Sequence, residues 1–133
     1  MVSETPLEID LSALKNNYDV LRSKIPRKTL FLAVVKAFAY GSDAVVVAGY
    51  LEKLGIDYFA VAYVSEGVAL RNAGIKTPIL VLHPQPINFK KAIDYKLEPS
   101  LYSEKVLTEF LTVAKEMNQT GFPVHIKFNT GLN

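Results

Sequence analysis

The sequence predicts an α/β fold: a partial (β/α)8 barrel of TIM type, holding the first four to five strand-helix units with parallel strands. Three observations carry this. Short apolar runs alternate with longer stretches patterned at helical spacing. The runs are apolar throughout, as suits strands covered on both faces of a parallel sheet. No Pro/Gly/Ser-rich linker divides the chain, so one continuous set of right-handed crossovers is expected.

An extended piece from Leu7 to Asp10 opens the pattern. Leu11, Leu14, Tyr18, Leu21 and Ile25 then recur at helical spacing, with Asp10 placed to cap the start and Pro26 to end the run. Leu30 to Val35 is too short for a typical helix and reads as the first buried strand. Ser42 or Asp43 can cap a second helix through Val47, Tyr50, Leu51 and Leu54, closed by Gly55. Tyr58 to Ala62 is the next strand, and Ser65 is expected to cap a short helix running to Gly74.

Ile79 to Leu82 is a further buried strand. His83-Pro84-Gln85-Pro86 must be a loop, because each proline restricts the residue before it. His83 is therefore a loop residue, and a modest helix is expected from Ile87 to Ile93. A brief strand follows near Leu97 to Pro99. Ser103 caps the longest helix, whose apolar stripe is Leu107, Phe110, Leu111, Ala114 and Met117, with Gly121 ending it before a strand from Val124 to Phe128. In that strand His125 and Lys127 alternate with the apolar set and face the opposite side, the barrel interior if the apolar set meets the helices.

The chain has 133 residues, enough for one domain with a real core. A complete eight-unit barrel needs roughly 250. Residues 1–133 are accordingly expected to form an N-terminal fragment of a barrel domain, with the remaining units outside the chain. Such a piece leaves edge strands with unpaired backbone groups, which invites self-association.

Fifteen Lys+Arg against thirteen Asp+Glu give a formal charge of +2, with no long run of either sign. No nucleic-acid or membrane-surface partner is implied. Without cysteine there is no disulfide, thiolate nucleophile or thiolate metal site, and the two histidines are too far apart in sequence to suggest a metal pair. The start, Met1 to Pro6, lacks the features of a signal peptide, and no apolar stretch approaches the ~20 residues that span a bilayer. A soluble, cytoplasmic protein is expected.

The stretch Val35-Lys36-Ala37-Phe38-Ala39-Tyr40-Gly41 is the most informative. It puts Lys36 at the C-terminal end of the first strand, the end of an α/β barrel that carries the chemistry. An amine among apolar walls can condense with a carbonyl, which makes Lys36 a candidate anchor for an aldehyde cofactor. By position alone a second reading is open: a lysine ending a strand can lay its stem on apolar surface and reach water.

Read together with Phe59-Ala60-Val61-Ala62, Ala69-Leu70-Arg71-Asn72-Ala73-Gly74-Ile75 and Pro78-Ile79-Leu80-Val81-Leu82, this stretch resembles the N-terminal part of alanine racemases. At the end of the chain, His125-Ile126-Lys127-Phe128-Asn129-Thr130-Gly131-Leu132-Asn133 is similar to the family's lysine-x-aspartate-threonine-glycine-methionine segment. Phe38 stands where most members have asparagine, Ser42-Asp43 where they have His-Gly, and Asn129 where they have aspartate. Phe38, with Glu66-Gly67-Val68 and Tyr95-Lys96-Leu97-Glu98-Pro99, looks like the racemase half of cell-wall enzymes fused to a ligase.

The resemblance implies a barrel binding pyridoxal 5'-phosphate, followed in the whole protein by a C-terminal β-domain. It also implies a homodimer that interconverts L- and D-alanine for peptidoglycan precursors. Lys36 would hold the cofactor and serve as one of two catalytic bases, the other being a tyrosine from the partner subunit that lies outside this chain. Tyr40 matches the tyrosine that orients the cofactor, with an ordinary loop aromatic as its other reading. Val34 and Leu82 match apolar positions of the cofactor pocket. Lys127 matches a lysine often carbamylated in the family; its other reading is a strand-end lysine that reaches solvent. The small-molecule partner is an amino acid, and the fragment alone is expected to be inactive. Alternatives are another barrel racemase or decarboxylase of this cofactor class, and a non-catalytic protein that stores or moves pyridoxal phosphate.

Overall fold

The structure is a computed structural model and describes residues 5–131. The readings that touch Met1–Glu4 and the last two residues of the Thr130–Asn133 segment lie outside the described residues.

Five strands form one parallel sheet in chain order: β1 (Leu32–Val34), β2 (Tyr58–Val61), β3 (Ile79–Val81), β4 (Glu98–Leu101) and β5 (His125–Ile126). A doubly wound sheet reverses its strand order at a switch point, with helices on both faces. Here the order never reverses, which is the winding of a barrel wall.

Helices α1 (Leu11–Ser23), α3 (Ala44–Leu54), α4 (Val64–Asn72), α5 (Phe89–Asp94) and α6 (Glu104–Glu116) follow the expected rhythm. The turn between β1 and α3, Lys36–Gly41, is α2. One core joins Val35, Phe59, Val61, Ile79 and Val81 to Ala48, Leu51, Val64 and Leu70. A second joins Leu101 to Phe89, Ile93, Val106 and Phe110, where the Phe89 and Phe110 rings meet edge to face at 5.2 Å.

Register fixes the other, concave face. Leu32 pairs with Tyr58, Val34 with Ala60, Ala60 with Leu80, Leu80 with Glu98, and Ser100 with His125. In-register residues of a sheet share a face, so these side chains line the inside of the barrel wall.

Several expectations need correction. The first strand is shorter than Leu30 to Val35 and is not buried on both faces: Leu32 and Val34 are 38 % and 39 % exposed, because among the described residues nothing covers the concave side of this edge strand. Helix α4 starts at Val64 rather than after a Ser65 cap, and the Glu66 carboxylate bonds the backbone N–H groups of Ala62 and Tyr63 at its start. The segment after Gln85 opens as a 3₁₀ turn, Pro86–Asn88, before α5.

Strand β4 lies at Glu98–Leu101, slightly later than expected. Helix α6 ends before Gly121 because Asn118 already turns left-handed (φ 53°), and its stripe is Val106, Phe110 and Ala114 with Leu107 and Met117 packed against it, leaving Leu111 outside. The last strand narrows to His125–Ile126, and Phe128 is exposed. The caps at Asp10, Asp43 and Ser103 and the left-handed Gly55 stand as the sequence predicts.

Candidate active site

Lys36 follows buried Val35 at the C-terminal end of β1 and is itself half-buried. Among the described residues no carboxylate forms an ion pair with its amine. The next four residues, Ala37, Phe38, Ala39 and Tyr40, have φ of 50–60° and ψ of 40–52°, so α2 is left-handed over four consecutive residues none of which is glycine. Left-handed backbone costs L-residues about 1–2 kcal/mol each, so surrounding contacts must hold this segment.

Four contacts hold it, one of them local: Ala39 N–H donates to Val35 O at 3.2 Å. Val35 N–H continues the β2 ladder by donating to Ala60 O at 2.9 Å. Ala39 packs on the main core. Ala37 N–H donates to the Glu66 carboxylate at 2.8 Å. Gly41, at φ 92°, ends the turn in a conformation that suits glycine. Asp43 then accepts from Val45 and Val46 N–H at 2.9 and 3.0 Å, starting α3.

The turn leaves Tyr40 68 % exposed. Val34 shows part of its side chain on the concave face. Leu82 follows β3 and is half-buried in a hollow of about 300 Å³ shared with His83, Tyr102, Lys127 and Asn129. Strands β1, β3 and β5 thus bring Lys36, Leu82 and Lys127 to the same, C-terminal end of the sheet. Lys127 N–H donates to Leu101 O at 3.0 Å, and its side chain is exposed rather than buried.

His83 is a loop residue, as the prolines require, yet its ring is placed. It stacks on Tyr102 with centroids 5.5 Å apart and 11° between planes, and meets Tyr63 edge-on at 5.9 Å. This aromatic row runs along the ends of β2, β3 and β4. Nothing in the linear pattern brings the three rings together, because each belongs to a different unit.

At the opposite end of the concave face, the Glu98 carboxylate receives the Tyr58 hydroxyl and lies 3.0 Å from His125 Nε2. Burial, then the hydrogen bond and charge of Glu98, raise the Tyr58 pKa above the ordinary phenol value. A larger hollow of about 770 Å³ also lies at this end, lined by Arg71, Lys76, Tyr95, Lys96 and Phe122 among others. Its guanidinium is committed: Arg71 donates to the carbonyls of Ile75, Thr77, Tyr95 and Lys96 at 2.8–3.1 Å and so ties two loops together. In a barrel wall the N-terminal end serves stability and the C-terminal end chemistry, which makes the end that carries Lys36 the candidate site.

A parallel wall wound in chain order, with a lysine at the rim of its first strand beside apolar side chains and an exposed phenol, defines an α/β barrel-type domain. The chain belongs to the family described as "Alanine racemase, N-terminal domain", which matches residues 9–133. It is 40% identical over 127 residues to alanine racemase 2 of Clostridium acetobutylicum, covering 95% of this chain and 32% of that protein. It is 36% identical over 132 residues to alanine racemase 1 of Caldanaerobacter subterraneus, covering 98% and 34%.

Among solved structures, the alanine racemase of Clostridium difficile in complex with cycloserine superposes with a TM-score of 0.88 at 33% identity, covering 98% of this chain and 36% of that one. The alanine racemase of Bartonella henselae with covalently bound pyridoxal phosphate gives a TM-score of 0.79 at 29% identity, covering 87% and 34%. The chain spans about a third of the length of the curated relatives it matches.

Proposed function

We propose that this chain is the cofactor-anchoring part of a pyridoxal-phosphate-dependent alanine racemase that interconverts L- and D-alanine for peptidoglycan precursors. Its residues would form the first units of the barrel, in a cytoplasmic protein that works as a homodimer. One observation carries the reading: a half-buried amine at the C-terminal end of β1, free of any ion pair among the described residues, in a chain whose solved relatives include one with the cofactor bound covalently.

The residues present fit such a group. Lys36 supplies the amine. Val34 and Leu82 offer apolar surface at the same end of the sheet, and Tyr40 an exposed hydroxyl four residues on. When bound, pyridoxal phosphate delocalises the negative charge left when a substrate Cα loses its proton. Lys36 Nζ would anchor the cofactor and, once released, take or return that proton on one face of Cα. Tyr40 would orient the cofactor, Val34 and Leu82 would exclude water, and Lys127 would stand at the rim of β5. Racemisation needs the opposite face served as well, by a base from outside these residues.

The test is reductive trapping. Borohydride should fix pyridoxal phosphate on Lys36 of the full-length protein, and Lys36→Ala should abolish the adduct. An adduct that persists on another residue of Lys36→Ala would overturn the anchor assignment.

A further inference from the structure

The left-handed turn that carries the chain away from Lys36 is connected to α4 by one side chain. Glu66 stands at the third position of α4, where a glutamate ordinarily reaches back to the start of its own helix. It does so with one oxygen: Oε2 accepts from Ala62 N–H at 2.6 Å and Tyr63 N–H at 3.1 Å. The other oxygen leaves the helix, and Oε1 accepts from Ala37 N–H, 29 residues earlier in the chain, at 2.8 Å.

Packing does not do this work alone. Between the turn, the start of α3 and α4 lies a hollow of about 310 Å³ bordered by Val35, Phe38, Asp43, Val61, Glu66 and Leu70, and from its border Glu66 reaches Ala37 N–H. Phe38 and Tyr40 are largely exposed, and of the four left-handed residues Ala39 is the one packed on the core. A backbone conformation that is costly for alanine is thus held at its first residue, the one next to Lys36, by a charge-assisted hydrogen bond.

We infer that Glu66 is a positioning residue for Lys36: by holding Ala37 N–H it sets the direction in which the backbone leaves the lysine, and it couples that direction to the start of α4. This rests on the reading of Lys36 as the anchor. It assigns Glu66 no contact with cofactor or substrate.

Glu66→Gln separates the two arms. A glutamine has one acceptor oxygen, and keeping it toward Ala62 and Tyr63 turns its NH2 toward Ala37 N–H, donor against donor. Two readouts follow in the full-length protein. Amide hydrogen exchange at Ala37 should quicken by about 10- to 100-fold, while Ala62 and Tyr63 keep their protection. The rate at which pyridoxal phosphate is trapped on Lys36 should fall about tenfold or more, with little change in melting temperature.

Glu66→Asp, which keeps the charge but is too short to span both partners, should show the same trapping defect. Unchanged Ala37 exchange in Glu66→Gln, or full trapping in both variants, would overturn the inference. Should Glu66→Gln fail to fold, exchange in the wild-type protein still decides: Ala37, Ala62 and Tyr63 amides should open together as denaturant is added, and an Ala37 that opens independently would overturn the coupling. If the wild-type protein forms no adduct on Lys36, the anchor assignment fails, while the exchange data still report on Glu66 and the turn.

Discussion

His125 Nε2 lies 3.0 Å from the Glu98 carboxylate across the β4–β5 pair, although the two residues belong to different units and β5 is only two residues long. Tyr58 joins the same carboxylate from β2. Three strands are thereby tied on the concave face by polar groups, the Tyr58–Glu98 bond reaching across β3, which lies between β2 and β4.

Tyr58→Phe removes the hydroxyl from this cluster and should cost about 1 kcal/mol at neutral pH, measured by denaturant unfolding. Its pH dependence has a definite sign. The folded protein holds the Tyr58 pKa above that of the unfolded chain, so its contribution is complete below about pH 10 and declines as the pH rises beyond it. The variant should lose less stability than the wild type between neutral and strongly alkaline pH.

Glu52 gives the opposite limb. It accepts from Lys76 N–H, Thr77 N–H and Thr77 Oγ1 at 2.7–2.8 Å, tying the end of α3 to the loop before β3. Burial raises its pKa, but the Thr77 and Lys76 hydrogen bonds and the charge of Arg71 outweigh that, and the net shift is downward from 4.5. Its contribution is therefore complete above about pH 4.5 and is lost as the pH falls through the lowered value. Glu52→Gln should flatten the acid limb of a stability-against-pH curve.

The left-handed turn predicts an inverted substitution pattern. Ala37→Gly should be neutral or stabilising by up to about 1 kcal/mol, because glycine adopts positive φ freely. Ala37→Val should destabilise by more than 1 kcal/mol, roughly, since a branched side chain crowds that backbone. In an ordinary right-handed turn glycine would be the costly change. Equilibrium unfolding of the two variants checks the order.

The 133-residue chain on its own should self-associate. Among the described residues β1 and β5 each have an unpaired edge, and Leu30, Leu32, Val34, Ile126 and Phe128 are exposed beside them. Light scattering should show species larger than one chain, and a monomer that melts cooperatively would contradict this.

Elements with local signals were legible in the sequence. Asp10, Asp43 and Ser103 cap helices through bonds to residues two or three positions on, and such chemistry is written in adjacent residues. Lys36 was legible as a strand-end amine for the same reason. The left-handed turn was not, because Ala-Phe-Ala-Tyr carries no preference for it, and the Glu66 bond that helps hold it comes from another unit. Tyr58, Glu98 and His125 stayed invisible until the register of three pairings was known, and Asn118 replaced Gly121 as the stop of α6 because either residue tolerates positive φ.

The sheet order has a kinetic corollary. Among the described residues every strand lies beside its immediate successor in the chain, so none of these four pairings has to wait for a segment synthesised more than one crossover later. Closure entropy is met in small, similar instalments, one crossover at a time, and each new strand with its helix can settle on a surface already formed. Assembly from the N-terminus onward, as the chain leaves the ribosome, is the route this winding favours.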